Sequence, residues 1–262
     1  MKKQILLVSV LVLCFLNGNT QTDPISNNAL AKNLFIGIGG VYSSFQDVKY
    51  SNVRQGGIGG LFEIGYSNKN EKRFWETGLY VSLSFEKAAT HNSEKTNALN
   101  PYAYFKYLKP IKNSDFLIGG RIDILDFDLR VNDALGNNGH YYTNGSYLFG
   151  SVMHNKQLND NWNLQSSLDI GLLSFMKEST SFAFSAPQNG LEDGEFNYQN
   201  KELESPFGFK YFEFKPIGKI INIKTSFLFQ YKERISIGYF WQMKRFSTLK
   251  SYPTTKGTHN RI

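Results

Sequence analysis

Regular alternation of oily and polar side chains predicts an all-β protein: an antiparallel up-and-down transmembrane β-barrel of about ten strands, within a range of about 8 to 12. Three observations carry this expectation. First, Trp75 to Phe85 interleaves two chemistries. Trp75, Thr77, Leu79, Val81, Leu83 and Phe85 make one face, and Glu76, Gly78, Tyr80, Ser82 and Ser84 the other. A strand sends alternate side chains to opposite faces, so this segment is greasy on one side and small or polar on the other. Second, the same writing recurs along most of the chain behind an export-like start. Third, the connectors between such segments alternate between short and long, as the two ends of an outer-membrane barrel do.

The elements follow in chain order. Met1-Lys2-Lys3, the apolar run Ile5 to Leu16 and the polar exit Asn17 to Thr22 have the basic, apolar and small-residue parts of a secretory signal peptide. Residues 1–20 are therefore expected to be a cleaved leader, with Gly18 and Thr20 as the small exit residues. The apolar run falls short of the roughly 20 residues that a membrane-spanning helix needs. Cys14 is the only cysteine, and it lies inside that run behind Leu13 rather than behind a small residue, which argues against a lipid anchor. Its loss with the leader leaves no disulfide, thiolate or cysteine metal ligand. Residues 21–33 form a polar lead-in without periodicity, residues 34–246 the barrel, and residues 247–262 either a tail or a partial extra strand.

Within the barrel region, strands are expected at Leu34–Tyr42, Gly57–Tyr66, Trp75–Phe85, Asn100–Leu108, Phe116–Leu129, Tyr147–Lys156, Trp162–Phe175, Pro206–Lys215, Ile220–Tyr231 and Ile235–Phe246. In the fifth, Ile118, Ile122 and Ile124 share one parity while Leu125, Phe127 and Leu129 take the other. Such a one-residue phase change points to a β-bulge near Leu125, or to the strand leaving the membrane there. Short turns are expected around Asn68, Lys112, Asp160 and Gly218, with the longest connector at Met176 to Ser205. The tight hinge Lys232-Glu233-Arg234 is the one exception to the alternation.

Composition agrees with strands. Aromatic residues make up 15% of the chain, while Pro numbers only 7. Mean hydropathy is −0.36, which a barrel tolerates because its apolar residues are interleaved with polar ones. The charge of +7 falls when Lys2 and Lys3 leave, to 27 basic residues against 22 acidic. These charges are dispersed, so no nucleic-acid partner is expected and outer-membrane lipid headgroups are the more economical one. An extracellular ligand or protein meeting the long loops stays open as a further partner.

A barrel in lipid must hold its charges inside, where they can pair. By parity, Glu63, Glu76, Glu86, Lys106, Arg121, Asp123, Asp169, Lys224 and Lys244 face the lumen, together with Tyr80, Tyr102 and Tyr104. Trp75, Trp162 and Trp241 are read as interfacial aromatics. A soluble sandwich or barrel with its apolar face inward is the alternative architecture.

With this leader, these alternating segments and Phe/Tyr/Asn/Lys-heavy loops, the span Leu34 to Phe246 resembles the small outer-membrane β-barrel proteins of Bacteroidota-type bacteria. The resemblance rests on pattern and composition. It implies residence in the outer membrane and, since many such proteins have no assigned activity, implies no particular chemistry.

Lipid hydrolases of the outer membrane place a His near a Ser, in a motif similar to His-x-Ser-Asn-Gly. The nearest match is His140-Tyr141-Tyr142-Thr143-Asn144-Gly145, followed by Ser146. An extra residue and a Thr depart from the motif, so no catalytic residue is assigned beyond the candidates His140 and Ser146, in what reads as an outside loop. Asp126, Asp128 and Asp133 lack the spacing of a calcium loop and read as a solvated acidic rim. No cofactor or metal site is expected. Three functions compete: a structural or interaction barrel with a filled polar lumen, a small pore for ions or solutes, and a lipid-acting hydrolase.

Overall fold

The computed structural model describes residues 13–18, 31–47, 51–88, 95–132, 140–178, 212–217, 219–232, 235–246 and 255–261. Its strands are β1 (Leu13–Gly18), β2 (Ala31–Asp47), β3 (Ser51–Asn70), β4 (Arg73–Ala88), β5 (Lys95–Pro110), β6 (Phe116–Asn132), β7 (His140–Gln157), β8 (Trp162–Glu178), β9 (Glu213–Pro216), β10 (Ile220–Tyr231), β11 (Ile235–Phe246) and β12 (Thr255–Arg261). Among the described residues no helix is long and apolar enough to cross a membrane. The fold is all-β, antiparallel and up-and-down: β2 to β8 each pair with the next in sequence, β8 pairs with both β9 and β10, and β10 pairs with β11.

The strands outrun the stretches that the alternation marks. The second expected strand, Gly57–Tyr66, becomes Ser51–Asn70, because backbone ladder bonds continue after the oily side chains stop. Polar turn residues end the strands at one rim. Asn70 Oδ1 accepts from the Lys72 and Arg73 amides at 2.9 and 2.8 Å, and Asn159 Oδ1 accepts from Asn161 and Trp162 at 3.0 and 2.9 Å. These are Asx turns, in which a short amide side chain stands in for the backbone.

Two positions around the ring are each filled by two short strands. β9 pairs with the far half of β8 (Met176↔Glu213), and β10 with its near half (Ile170↔Ile223), so the two lie end to end. This corrects the expected eighth strand: of Pro206–Lys215, only Glu213 onward is a strand among the described residues, and the segment before Phe212 lies outside them. It also corrects the expected short turn joining two wall positions there. Gly218 itself lies outside the described residues, and the strands on either side of it, β9 and β10, share one wall position beside β8. Proline cannot donate to the ladder, and Pro216 marks that break, with Ile217 N donating instead to Leu172 O at 2.9 Å. Lys232 N donates to Asn161 O at 2.8 Å, which puts the Lys232 hinge at the same rim as the other short turns. The exception to the alternation therefore disappears.

The second composite position closes the ring. β2 and β11 do not pair with each other. β12 lies between their far halves (Val41↔Arg261, Phe240↔Arg261), and β1 between their near halves (Ile38↔Cys14, Gly238↔Leu13). Residues 255–261, left open above as tail or partial strand, are thus a strand. Counting each composite as one, ten strand positions surround the lumen.

The bulge foreseen near Leu125 is present. The β5–β6 register jumps between Ala103 and Tyr104, and the β6–β7 register between Asp123 and Asp126. The phase flip turns Asp123 and Asp126 to the same interior, which an unbroken strand cannot do. Glycines accommodate close approach on the inner face: a Cβ at Gly59 would lie 1.8 Å from the Leu83 carbonyl oxygen, and one at Gly78 would lie 2.7 Å from the Tyr104 ring.

Candidate functional site

Burial follows strand parity with an inverted polarity. The outward residues of β4 stay exposed, Leu79 at 59% and Phe85 at 70%, as do Ile38 of β2, Ile58 of β3 and Ile118 of β6. The inward residues are buried, and most of them are polar or charged. Trp75 to Phe85 spans about 33 Å of strand at about 3.3 Å per residue. With a tilt near 40°, that is an apolar band of about 25 Å, the height of an outer-membrane barrel's lipid face.

The interior holds two tiers of paired charge. In the middle, Lys224 of β10 is fully buried and reaches Asp123 of β6 at 2.5 Å, while hydrogen-bonding Tyr102 of β5. Arg121 donates from Nε to Asp123 at 2.9 Å and from Nη1 to Asp169 at 3.2 Å, and also meets the Tyr102 hydroxyl. Lys106 completes the group on Asp169 at 2.9 Å. The Arg121 guanidinium lies 4.2 Å from the Tyr104 ring centre, a cation–π contact. β5, β6, β8 and β10 thereby meet across the lumen. Arg121, Asp123, Asp169 and Lys224 each have more than one partner, as the several-kcal/mol desolvation of a buried charge demands.

Towards the far rim, Arg130 pairs with Glu86 of β4 and with Asp128 at 3.2 Å, its guanidinium 4.1 Å from the Phe45 ring of β2. Ser43 donates to Glu86, and Lys244 of β11 pairs with Asp126. Asp126 and Asp128 were expected as a solvated rim. The structure corrects this: both are buried in the lumen, because the bulge returns their side of β6 to the interior. Arg130 was missed for the same reason, and its signal was the parity of residues 126, 128 and 130 once the phase change is applied.

Below the middle tier, towards the short-turn rim, lies a cavity of about 200 Å³. Its walls include Phe74, Tyr80 and Tyr104 beside the half-buried Glu63 and Glu76, with Asn163, Gln165 and Gln230 opposite. The Tyr104 hydroxyl lies 3.0 Å from both Glu63 Oε1 and Glu76 Oε1. All nine charged residues assigned to the lumen, Glu63, Glu76, Glu86, Lys106, Arg121, Asp123, Asp169, Lys224 and Lys244, are buried or half-buried in this interior. The sequence reading found the faces but not the partners.

Trp75 and Trp162 lie close to the short-turn rim, 5.2 Å from Tyr66 and 5.1 Å from Tyr231 respectively. Trp241 stands higher, paired in register with Thr225 and Asn260, and does not share that belt. His140 and Ser146 are both on β7, not in a loop. Six residues apart on one strand, they are about 20 Å from each other along it, far beyond hydrogen-bond reach. Ser146 Oγ donates instead to Ile124 O at 2.7 Å. Among the described residues no group of three or more His, Cys, Asp or Glu side chains could hold a metal ion. No known family model matches this chain, and no curated protein sequence is significantly similar to it.

Proposed function

We propose that this chain is an exported outer-membrane β-barrel of the small Bacteroidota type, with a filled polar lumen, serving a structural or interaction role through its rims and loops. One observation carries the reading: the exterior is a band of exposed aliphatic and aromatic side chains while the charges are paired inside. In water that arrangement is inside out, and in acyl chains it is the stable one. The cross-lumen bridges from Lys224, Arg121, Lys244 and Arg130 count against an open pore, since a conducting path would have to break them. The separation of His140 from Ser146 counts against hydrolysis by that pair.

Membrane fractionation and a heat-modifiability gel test the reading. The mature protein is expected in the outer-membrane fraction, migrating faster unboiled than boiled. A soluble periplasmic protein whose mobility ignores boiling would overturn it. In planar bilayers the protein is expected to be silent, and stepwise conductance of porin size would favour the pore instead.

A further inference from the structure

We infer that the outer face of β3, β4 and β5, at the rim opposite the short turns, docks a membrane lipid whose headgroup is a phosphate monoester, on Arg54, Lys87 and Lys95. On the membrane reading proposed above, on which this rests, that rim meets the outer leaflet. Lys87 and Lys95 are partners in register across β4 and β5, and both are exposed. Directly opposite side chains have Cβ atoms about 5 Å apart, so two ammonium groups there repel and destabilise the sheet. Arg54, also exposed, stands one outward position beyond Gly56, the register partner of Lys87 on β3. None of the three has an ion-pair partner among the described residues, and Arg54 donates from Nε only to Ser44 Oγ, at 2.6 Å.

The outward residues next to these cations, Ser44, Gly56, Phe85 and Asn97, are uncharged. The short-turn rim is different, for there Lys72 and Lys112 stand among Glu71 and Asp115, all exposed. An anion placed between Lys87 and Lys95 turns their repulsion into two charge-assisted contacts. A neutral donor stands beside them. A Cβ on Gly56 would lie 3.0 Å from the Tyr42 hydroxyl, so this phenol leans over Gly56 next to Lys87. Three cations and a phenol suit the oxygens of a phosphate monoester and its charge of about −2.

What lies beneath the cations selects a lipid over a free anion. Lys87 stands one outward position beyond Phe85, about 5 Å higher at a tilt near 40°. Phe85 and its register partner Ile58 are 70% and 71% exposed, with exposed Leu83 below them. Acyl chains hanging from a phosphate on Lys87 and Lys95 run straight down over these side chains. Headgroup charge and apolar surface therefore meet in the order in which a lipid presents them.

The experiment uses the full mature barrel folded into phosphatidylcholine liposomes, with and without phosphatidic acid, a phosphate-monoester lipid, as the probe. Reversible urea unfolding reads the first outcome. In phosphatidylcholine alone, Lys87→Gln is expected to raise the urea midpoint, because it ends the repulsion from Lys95. With phosphatidic acid present it is expected to lower the midpoint, because it removes a phosphate contact. A shift of the same sign in both membranes overturns the site. A second measurement needs no variant. Native mass spectrometry from detergent should show one phosphatidic acid retained per barrel, about ten-fold more tightly than phosphatidylcholine. Lys112→Gln, at the short-turn rim, should leave that ratio unchanged. Equal retention of the two lipids, or full displacement of phosphatidic acid by inorganic phosphate, overturns lipid docking. A heat-modifiability gel on the same samples separates the two readings. A heat-shifting barrel indifferent to phosphatidic acid sinks this site alone, whereas a protein that never enters liposomes sinks the membrane reading.

Discussion

Replacing Leu79 by Arg asks directly which solvent the outer face meets. Leu79 lies on β4, 59% exposed, four residues from Trp75 in the aromatic belt. Four residues are about 13 Å of strand, or about 10 Å of height at a tilt near 40°, close to the middle of the ~25 Å apolar band. Arg there is expected to cost about 2–4 kcal/mol, against about 0–1 kcal/mol near the edge of the band. Phe85, 70% exposed and ten residues from Trp75, is at that far edge. The prediction is thus a gradient: Leu79→Arg loses about 2 kcal/mol or more relative to Phe85→Arg, after each is referred to its own Ala variant. The assay is reversible urea unfolding of the barrel in liposomes, followed by tryptophan fluorescence with slopes checked for constancy. On a water-facing surface both substitutions would fall within about 0.5 kcal/mol. Equal and negligible effects at the two positions would refute the placement of this face in lipid.

Other outcomes follow from the interior. Lys224→Met leaves Asp123 buried with one cationic partner fewer and should cost about 3–5 kcal/mol in the same unfolding assay, whereas Lys224→Met with Asp123→Asn should cost clearly less than the sum of the two single changes. Strictly additive losses would show that the pair is not coupled. Gly59→Ala forces a Cβ against the Leu83 carbonyl and should destabilise by at least about 2 kcal/mol, read as a lowered urea midpoint. Lys232 holds a φ of 48° in its tight turn, so Lys232→Gly should stabilise by about 1 kcal/mol by the same measurement.

How far the chain could be read before its structure was known depends on the range of the interaction. Facing is local. The period of two placed Glu63, Lys106 and Lys224 inside from their neighbours alone, and the Ile124–Leu125 parity break located the bulge. Partnership is not local. Lys224 meets Asp123 across 101 positions of sequence, by virtue of how the ring curls and staggers, which no window of alternating residues contains. The Pro216–Gly218 stretch misled for another reason. Its residues have turn chemistry, and only the pairing of both β9 and β10 with β8 reveals an interrupted strand. His140 and Ser146 read as parts of an outside loop, and the extended backbone of β7 carries both instead.

On the proposed reading as an exported membrane barrel, the seam between β2 and β11 ties removal of a leader to the architecture. Half of it is stitched by Leu13–Gly18, residues that a peptidase cutting after Thr20 would carry away. The amides and carbonyls of Leu34–Ile38 and Ile235–Gly238 would then border acyl chains, where each bare group costs several kcal/mol. Removing the N-terminus would on this account unseal half of the seam, and whatever then pairs with Leu34–Ile38 and Ile235–Gly238 decides whether the finished cylinder is watertight.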